Sequence, residues 1–182
     1  MKHYSRREFL TRMTTLATAG AVLAVAPQAL AAKNGARSLA FEHTSTGQFM
    51  RITYAVGSHY LPDALTTLNG FLRDHHNGAI GRMDPRLFDL LYRLKLTLGG
   101  DGHFQIICGY RCPKTNAMLR AKGRRGVAKN SLHMEGKAID LRMAGISLAD
   151  LRDAAVASRS GGVGFYPSSK FVHVDTGPVR SW

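Results

Sequence analysis

Residues 131–140 read S-x-H-x-x-G-x-A-x-D, and this stretch constrains the fold more than any other part of the chain. His133 lies before a glycine turn and Asp140 lies in the apolar run after it, so we expect a loop to present the first and a strand the second. Zn²⁺ accepts both imidazole nitrogen and carboxylate oxygen as ligands. The motif therefore predicts a loop and a strand that meet at one metal ion.

A complete site needs a third ligand, and the sequence FVHVD at 171–175 supplies one. Alternate residues of a strand share one face, so His173 and Asp175 are expected to point the same way. We predict a single zinc ion held by His133, Asp140 and His173. A hydrogen-bonded histidine and aspartate in the core would give the same pattern without a metal.

The first 31 residues have the features of an export signal. The sequence SRREFL at 5–10 is a twin-arginine signature, residues 13–27 form an uncharged run, and ALA at 29–31 is a cleavage site of the A-x-A type. The run is shorter than the roughly 20 residues of a spanning helix, which favours a cleaved signal over an uncleaved anchor. We predict cleavage after Ala31 and one periplasmic domain at 32–182 without a transmembrane segment.

The chain is strongly basic, with 25 Lys and Arg against 12 Asp and Glu and a formal net charge of +13. The predicted signal carries four of these bases and one acid, so about +10 remains in the mature domain. The segment 120–129 contains five cations and no acid. This balance favours an anionic partner. Export makes cell-wall polymer the expected partner and argues against nucleic acid; the alternative is a surface that is merely well solvated.

The remaining pattern predicts a single compact α+β domain. Short alternating or apolar runs predict strands at 38–41, 48–54, 104–108, 138–143, 163–166 and 171–174. Leucines at helical spacing, caps and prolines predict helices that begin at Pro62, Asp84, Pro113 and Ser147. The pair His75 and His76 is expected at the frayed end of the first helix. Together these elements predict a mostly antiparallel sheet flanked by helices, and we expect a monomer.

The predicted strand at 104–108 ends at Gly109-Tyr110-Arg111, and the ends of strands are frequent places for catalytic groups. Cys108 and Cys112 flank this tripeptide at a spacing that differs from the zinc-ribbon and thioredoxin motifs. A disulfide between them is one interpretation. The other is one buried cysteine and one cysteine near the site.

These residues resemble the VanX- and hedgehog-type zinc peptidase superfamily. The resemblance rests on the motif at 131–140, on Gly109-Tyr110-Arg111 and on His173-x-Asp175. The twin-arginine leader, GGVGFYP at 161–167 and the ending FVHVDTGPVRSW are similar to its YcbK-like branch of exported bacterial proteins. The resemblance implies zinc and a water in the fourth position. It also implies cleavage of D-alanine-containing murein peptides, by a D,D-carboxypeptidase or an endopeptidase.

The resemblance implies roles for three further residues. Arg111 matches the arginine that stabilises the oxyanion, and Ser131 and Tyr110 are expected to contact the peptidoglycan substrate. The metal would polarise the scissile carbonyl and lower the pKa of its water towards ~7.

At the position where the superfamily has its catalytic base, this sequence has a different type of residue. Better-known members place a Glu, Asp or His two or three residues before the third ligand, where this chain has Phe171 and Lys170. We take Asp175 as the substitute base. The alternative makes Asp175 the ligand and His173 the base. If neither holds, the domain is a zinc-stabilised cell-wall binding module without peptidase activity.

Overall fold

In the part of the chain that the structure describes, residues 35–99, 102–123 and 126–182 of a computed structural model, eight strands form one sheet. They are β1 (Ala36–His43), β2 (Phe49–Val56), β3 (His59–Tyr60), β4 (Phe104–Cys108), β5 (Ala138–Met143), β6 (Gly162–Tyr166), β7 (Phe171–Asp175) and β8 (Arg180–Ser181). The predicted signal at 1–31 lies outside the described residues, so its cleavage and the domain boundary stay predictions.

The order of strands in the sheet is β3-β2-β1-β4-β5-β7-β6-β8. The pairs β2/β3, β4/β5, β5/β7 and β6/β7 are antiparallel, while β1/β4 and β6/β8 are parallel. The prediction of a compact α+β domain with a mostly antiparallel sheet is confirmed. The strands β3 and β8 were not predicted, because two residues are too few to show a hydrophobic period.

Four helices lie among the described residues, and their starts follow simple local rules. They are α1 (Pro62–Phe71), α2 (Pro85–Thr97), α3 (Pro113–Ala121) and α4 (Leu148–Ala157). Three begin at a proline, whose missing N–H costs nothing in the first turn. Side chains of Asp84, Cys112 and Ser147 accept hydrogen bonds from backbone N–H groups at the starts of α2, α3 and α4.

The core lies between the sheet and the helices that pack on it. The leucine face predicted for α2 is buried, and β1, β4 and β5 contribute apolar side chains to the same cluster. The α4 helix packs on β5, β6 and β7. Burial of these apolar faces is the main force that holds the central strands of the sheet in register.

The loop after α1 is not a frayed helix end, and that expectation was wrong. The helix ends at Phe71, and the buried carboxylate of Asp74 then accepts hydrogen bonds from the backbone N–H groups of His76 and Cys112, each at 2.9 Å. These bonds tie the loop that carries His75 and His76 to the start of α3. The rings of His75 and His76 lie 4.2 Å apart, and both residues are exposed.

The described part of the chain contains no helix with the length and apolar character needed to cross a membrane.

Candidate metal centre

Three strands place one side chain each in a row, and this row forms the centre. Asp140 of β5 lies opposite Cys108 of β4 and opposite His173 of β7. Directly opposed residues have Cβ atoms about 4.5–5.5 Å apart, so the register alone brings these side chains together. A register shift between Ile106 and Cys108 leaves Ile107 as an extra residue, which is why Cys108 faces Asp140.

His133 reaches the row from the 3₁₀ turn Leu132–Glu135, and its ring is almost completely buried. Its Nδ1 donates to the carbonyl oxygen of Gly109 at 2.8 Å, because a carbonyl oxygen only accepts. The neutral ring then carries its lone pair on Nε2, which lies 3.2 Å from Oδ1 of Asp140. The fold thus directs the lone pair of His133 Nε2 towards Asp140.

Gly136 explains why the motif has a glycine between its histidine and its aspartate. It ends the 3₁₀ turn with φ +66°, a conformation that favours glycine. A Cβ at this position would clash with the backbone carbonyl of Arg82. Both the positive φ and the close approach of the Arg82 carbonyl therefore require glycine at position 136. This glycine lets the chain pass from His133 into β5 within a few residues.

The ring of His173 is held between two carboxylates. Nδ1 lies 2.8 Å from Oδ1 of Asp140, and Nε2 lies 3.1 Å from Oδ2 of Asp175. Metal-bound histidines usually donate the N–H of the other ring nitrogen to a carboxylate or carbonyl, which fixes tautomer and orientation. Asp175 has the geometry of that outer partner, and Nδ1 is the nitrogen that faces the centre.

Asp175 is fully buried and has many donors around it. It accepts from the backbone N–H groups of Gly162 at 2.9 Å and Gly177 at 2.8 Å, and from Nη2 of Arg180 at 2.7 Å. Burial alone would raise the pKa of Asp175, but these bonds and the bond from His173 outweigh it and hold the pKa well below its usual range. A carboxylate this acidic is a weak proton acceptor near neutral pH.

The donor set fits a zinc ion. Oδ1 of Asp140 lies within 3.2 Å of both His133 Nε2 and His173 Nδ1. Two ligands of a tetrahedral zinc with bonds of about 2.0–2.1 Å are separated by about 3.3 Å, so each histidine nitrogen has the spacing of a second ligand relative to Asp140. The ligand atoms that all lie within 4.8 Å of one another belong to Cys108, His133 and Asp140, whereas His173 joins the centre through Asp140. The far nitrogen of each ring has its own partner, Gly109 or Asp175. The tautomers are therefore the ones that a metal requires.

The centre also has the electrostatics of a cation site. Burial alone would raise the pKa of Asp140, but His133 and His173 outweigh it and lower the pKa below its usual range. Burial lowers the pKa of His133, but Asp140 and Cys108 outweigh it and raise the pKa to about 10. The pocket between these groups therefore favours positive charge.

Arg111 lies at the edge of the centre. Its Nη2 is 3.8 Å from Oδ2 of Asp140 and donates to Sγ of Cys108 at 3.4 Å. Its Nη1 donates to Oδ1 of Asn116 at 3.4 Å, and the amide of Asn116 donates in turn to the carbonyl of Ala128 at 3.0 Å. Asn116 was not predicted as a site residue, because a lone asparagine inside a helical segment carries no motif signal.

The centre opens into a cavity of about 710 Å³. Of the predicted site residues, the cavity is lined by His133, Asp140, His173, Arg111 and Ser131. The structure does not place Tyr110 there: its ring packs against Gly81 and the core. Asp175 lies behind His173, outside the described lining. Among the described lining residues, Asp140 is the only acid.

Aromatic side chains form one wall of this cavity. Tyr166 and Phe171 stack with ring centroids 4.7 Å apart, and the ring of Trp182 lies 5.4 Å from His173. The indole N–H of Trp182 donates to the hydroxyl of Tyr166 at 2.7 Å. A Cβ on Gly164 would approach the indole to 2.7 Å, so the glycine makes room for this wall. The sequence predicted the hairpin that carries Tyr166 and Phe171, but not the wall.

The arrangement agrees with comparisons to known proteins. The family model described as peptidoglycan L,D-endopeptidase MepK matches residues 31–182. The chain belongs to this family. Membership confirms the resemblance to the YcbK-like branch of the VanX- and hedgehog-type peptidase superfamily.

Two relatives illustrate the extent of the match. The peptidoglycan L,D-endopeptidase MepK of Escherichia coli K12 is 41% identical over 181 residues, which cover 100% of this chain and 99% of the relative. The probable peptidoglycan L,D-endopeptidase MepK of Haemophilus influenzae is 44% identical over 147 residues, which cover 80% of this chain and 78% of the relative. The similarity to the Escherichia coli protein therefore includes the whole described domain.

Proposed function

We propose that the chain is a zinc-dependent L,D-endopeptidase of peptidoglycan. The observation that supports the chemistry most directly is that Oδ1 of Asp140 lies within 3.2 Å of both His133 Nε2 and His173 Nδ1, beside a cavity that all three residues line. The substrate follows from the names of the relatives, which are peptidoglycan L,D-endopeptidases. Those names favour an amide bond between an L centre and a D centre over the D-alanine bond expected from the motif.

Bound zinc would polarise the scissile carbonyl and lower the pKa of its water towards ~7. The protein orients the ligands through the bonds from His133 to Gly109 and from His173 to Asp175. Arg111 lies beside Asp140 with little exposure, so its guanidinium can donate to an oxygen that gains negative charge during attack on the amide.

The position of Asp175 supports a role as the partner that orients His173. Its carboxylate faces the ring nitrogen that points away from Asp140, and it lies outside the described lining of the cavity. The assignment of Asp175 as the catalytic base stays a prediction, as does its assignment as a ligand. The substitution tested in the Discussion separates these roles.

The proposed activity is tested with muropeptides and a matched pair of histidine variants. Wild-type protein should contain about one zinc per chain and release new termini from cross-linked muropeptides, detected by mass spectrometry. His133→Ala should lose both the metal and the activity. His59→Ala is the control, because His59 is exposed on β3 and lies outside the described lining of the cavity.

Three results would contradict the proposal in different ways. Full activity in His133→Ala would remove the metal centre from the mechanism. Release of single D-alanine residues, with cross-links left intact, would replace endopeptidase by carboxypeptidase activity. Fully zinc-loaded protein that sediments with peptidoglycan and leaves every bond intact would favour the cell-wall binding module.

We also propose export to the periplasm by the twin-arginine pathway. The support is the SRREFL sequence at 5–10 and the A-x-A site at 29–31. Changing Arg6 and Arg7 to lysine should leave the full-length precursor in the cytoplasm, as measured by cell fractionation. Unchanged appearance of a shortened protein in the periplasm would exclude this route.

A further inference from the structure

Cys108 occupies the one position in the row of the centre that the metal prediction did not use. It lies directly opposite Asp140, on the side away from His173. Its Sγ, a ring nitrogen of His133 and a carboxylate oxygen of Asp140 all lie within 4.8 Å of one another. The residue is 8% exposed and lines the cavity.

The spacing of the sulfur suits a ligand of the same ion. In a tetrahedral zinc site with Zn–N of about 2.0–2.1 Å and Zn–S of about 2.3 Å, sulfur and nitrogen are separated by about 3.6 Å. The distance between Sγ of Cys108 and the ring nitrogen of His133 is at most 4.8 Å, which exceeds this ideal separation by no more than about 1.2 Å. The backbone position is already correct, because it is set by the pairing of β4 with β5.

The surroundings of the sulfur favour an anionic ligand. The guanidinium of Arg111 donates to Sγ at 3.4 Å, and no carboxylate other than Asp140 lines the described cavity. Cys112 has a different environment. Its Sγ accepts from the backbone N–H of Thr115 and caps α3, so it is already used by the helix start.

We propose that Cys108 is a fourth protein ligand of the metal ion, through its thiolate. The inference rests on the metal centre of the proposed function and extends it. On binding, the S–H proton goes to solvent and the sulfur lone pair forms the bond to the metal. A site with four protein ligands is closed, whereas a catalytic zinc site keeps one position for water. The thiolate therefore holds the fourth position in the resting protein, and the catalytic water must displace it before hydrolysis.

Cobalt substitution tests the inference without using activity. Co²⁺ bound by a thiolate shows a sulfur-to-metal charge-transfer band in the near ultraviolet. Wild-type protein loaded with Co²⁺ should show this band, Cys108→Ser should lose it, and Cys112→Ser should retain it. Cys112→Ser is the matched control because it makes the same substitution at a buried cysteine that caps a helix.

Metal preference gives a second readout. A thiolate selects soft ions, so Cys108→Ser should weaken binding of Cd²⁺ more than binding of Mn²⁺, as measured by competition titration. An unchanged ratio of the two affinities would contradict the inference.

The outcomes separate this inference from the proposed function. Stoichiometric Co²⁺ without the charge-transfer band in the wild type overturns the role of Cys108 and leaves the His133, Asp140 and His173 site standing. A band that persists in Cys108→Ser has the same consequence. A wild-type protein that binds no divalent ion overturns the metal centre itself and this inference with it. If Cys108→Ser fails to fold, a band in both the wild type and Cys112→Ser assigns the thiolate to Cys108, because the chain has two cysteines.

Discussion

Asp175 contacts the nitrogen of His173 that points away from Asp140. A partner on the far side of a ligating ring raises the basicity of the ring and fixes its orientation. The sequence showed that His173 and Asp175 share a strand face, but not that the ring turns its Nε2 towards Asp175.

Asp175→Asn should weaken metal binding about 10–100-fold, because outer partners of metal-bound histidines have effects of this size. Competition with a chelator measures the affinity. Asp153→Asn is the control, since Asp153 is exposed on α4 and pairs only with Arg152 among the described residues. Unchanged metal affinity together with lost turnover would instead assign Asp175 as the base.

Arg111→Lys should lower kcat by about 10²–10³-fold if the guanidinium stabilises the oxyanion, because lysine cannot reproduce its fork of donors. Metal content should stay at the wild-type level. Steady-state kinetics on a purified muropeptide measure kcat, and Arg120→Lys on the exposed face of α3 is the control. A rise in KM with unchanged kcat would place Arg111 in ground-state binding only.

At the scale of elements, the site depends on how β4, β5 and β7 are aligned. Strand positions follow from apolar runs, but alignment also depends on the extra residue Ile107 and on the turn that ends at Gly136. A one-residue shift would move Asp140 to the other face of the sheet. These three strands therefore bring Cys108, Asp140 and His173 together only because packing fixes the register of β5 against β4 and against β7.

Gly136→Ala should destabilise the fold by more than Gly145→Ala. Both glycines have positive φ, which costs an alanine about 1–2 kcal/mol. Only at Gly136 does the new Cβ also clash with the Arg82 carbonyl, whereas nothing lies within 4 Å of it at Gly145. Urea unfolding of both variants measures the difference, and equal losses would show that the loop accommodates the Cβ.

At the scale of the whole molecule, two carboxylates, the buried Asp74 and the half-buried Asp84, join distant parts of the chain. Asp74 ties the loop after α1 to the start of α3, and Asp84 joins the start of α2 to Thr176, whose hydroxyl donates to it at 2.9 Å. Burial alone would raise the pKa of each carboxyl, but hydrogen bonds outweigh it and lower both values.

The free energy of unfolding should fall when the pH drops below about 4. A lowered folded pKa contributes stability that is present above the unfolded value of about 3.9 and is lost as the pH falls through the folded pKa. Urea unfolding between pH 6 and pH 3 measures this slope, and Asp74→Asn should make it shallower. A stability that rises over this range would contradict the assignment.

The sequence by itself determined the fold class, most strands and helices, and the types and positions of three candidate ligands. These features depend on local periodicity and on a ten-residue motif, which are visible without tertiary contacts. Only the tertiary structure decided that Cys108 faces Asp140, that Asp175 lies behind His173, that Tyr110 packs away from the cavity and that Asn116 holds Arg111. The physical reason is that strand register and side-chain direction are set by packing between segments far apart in the chain.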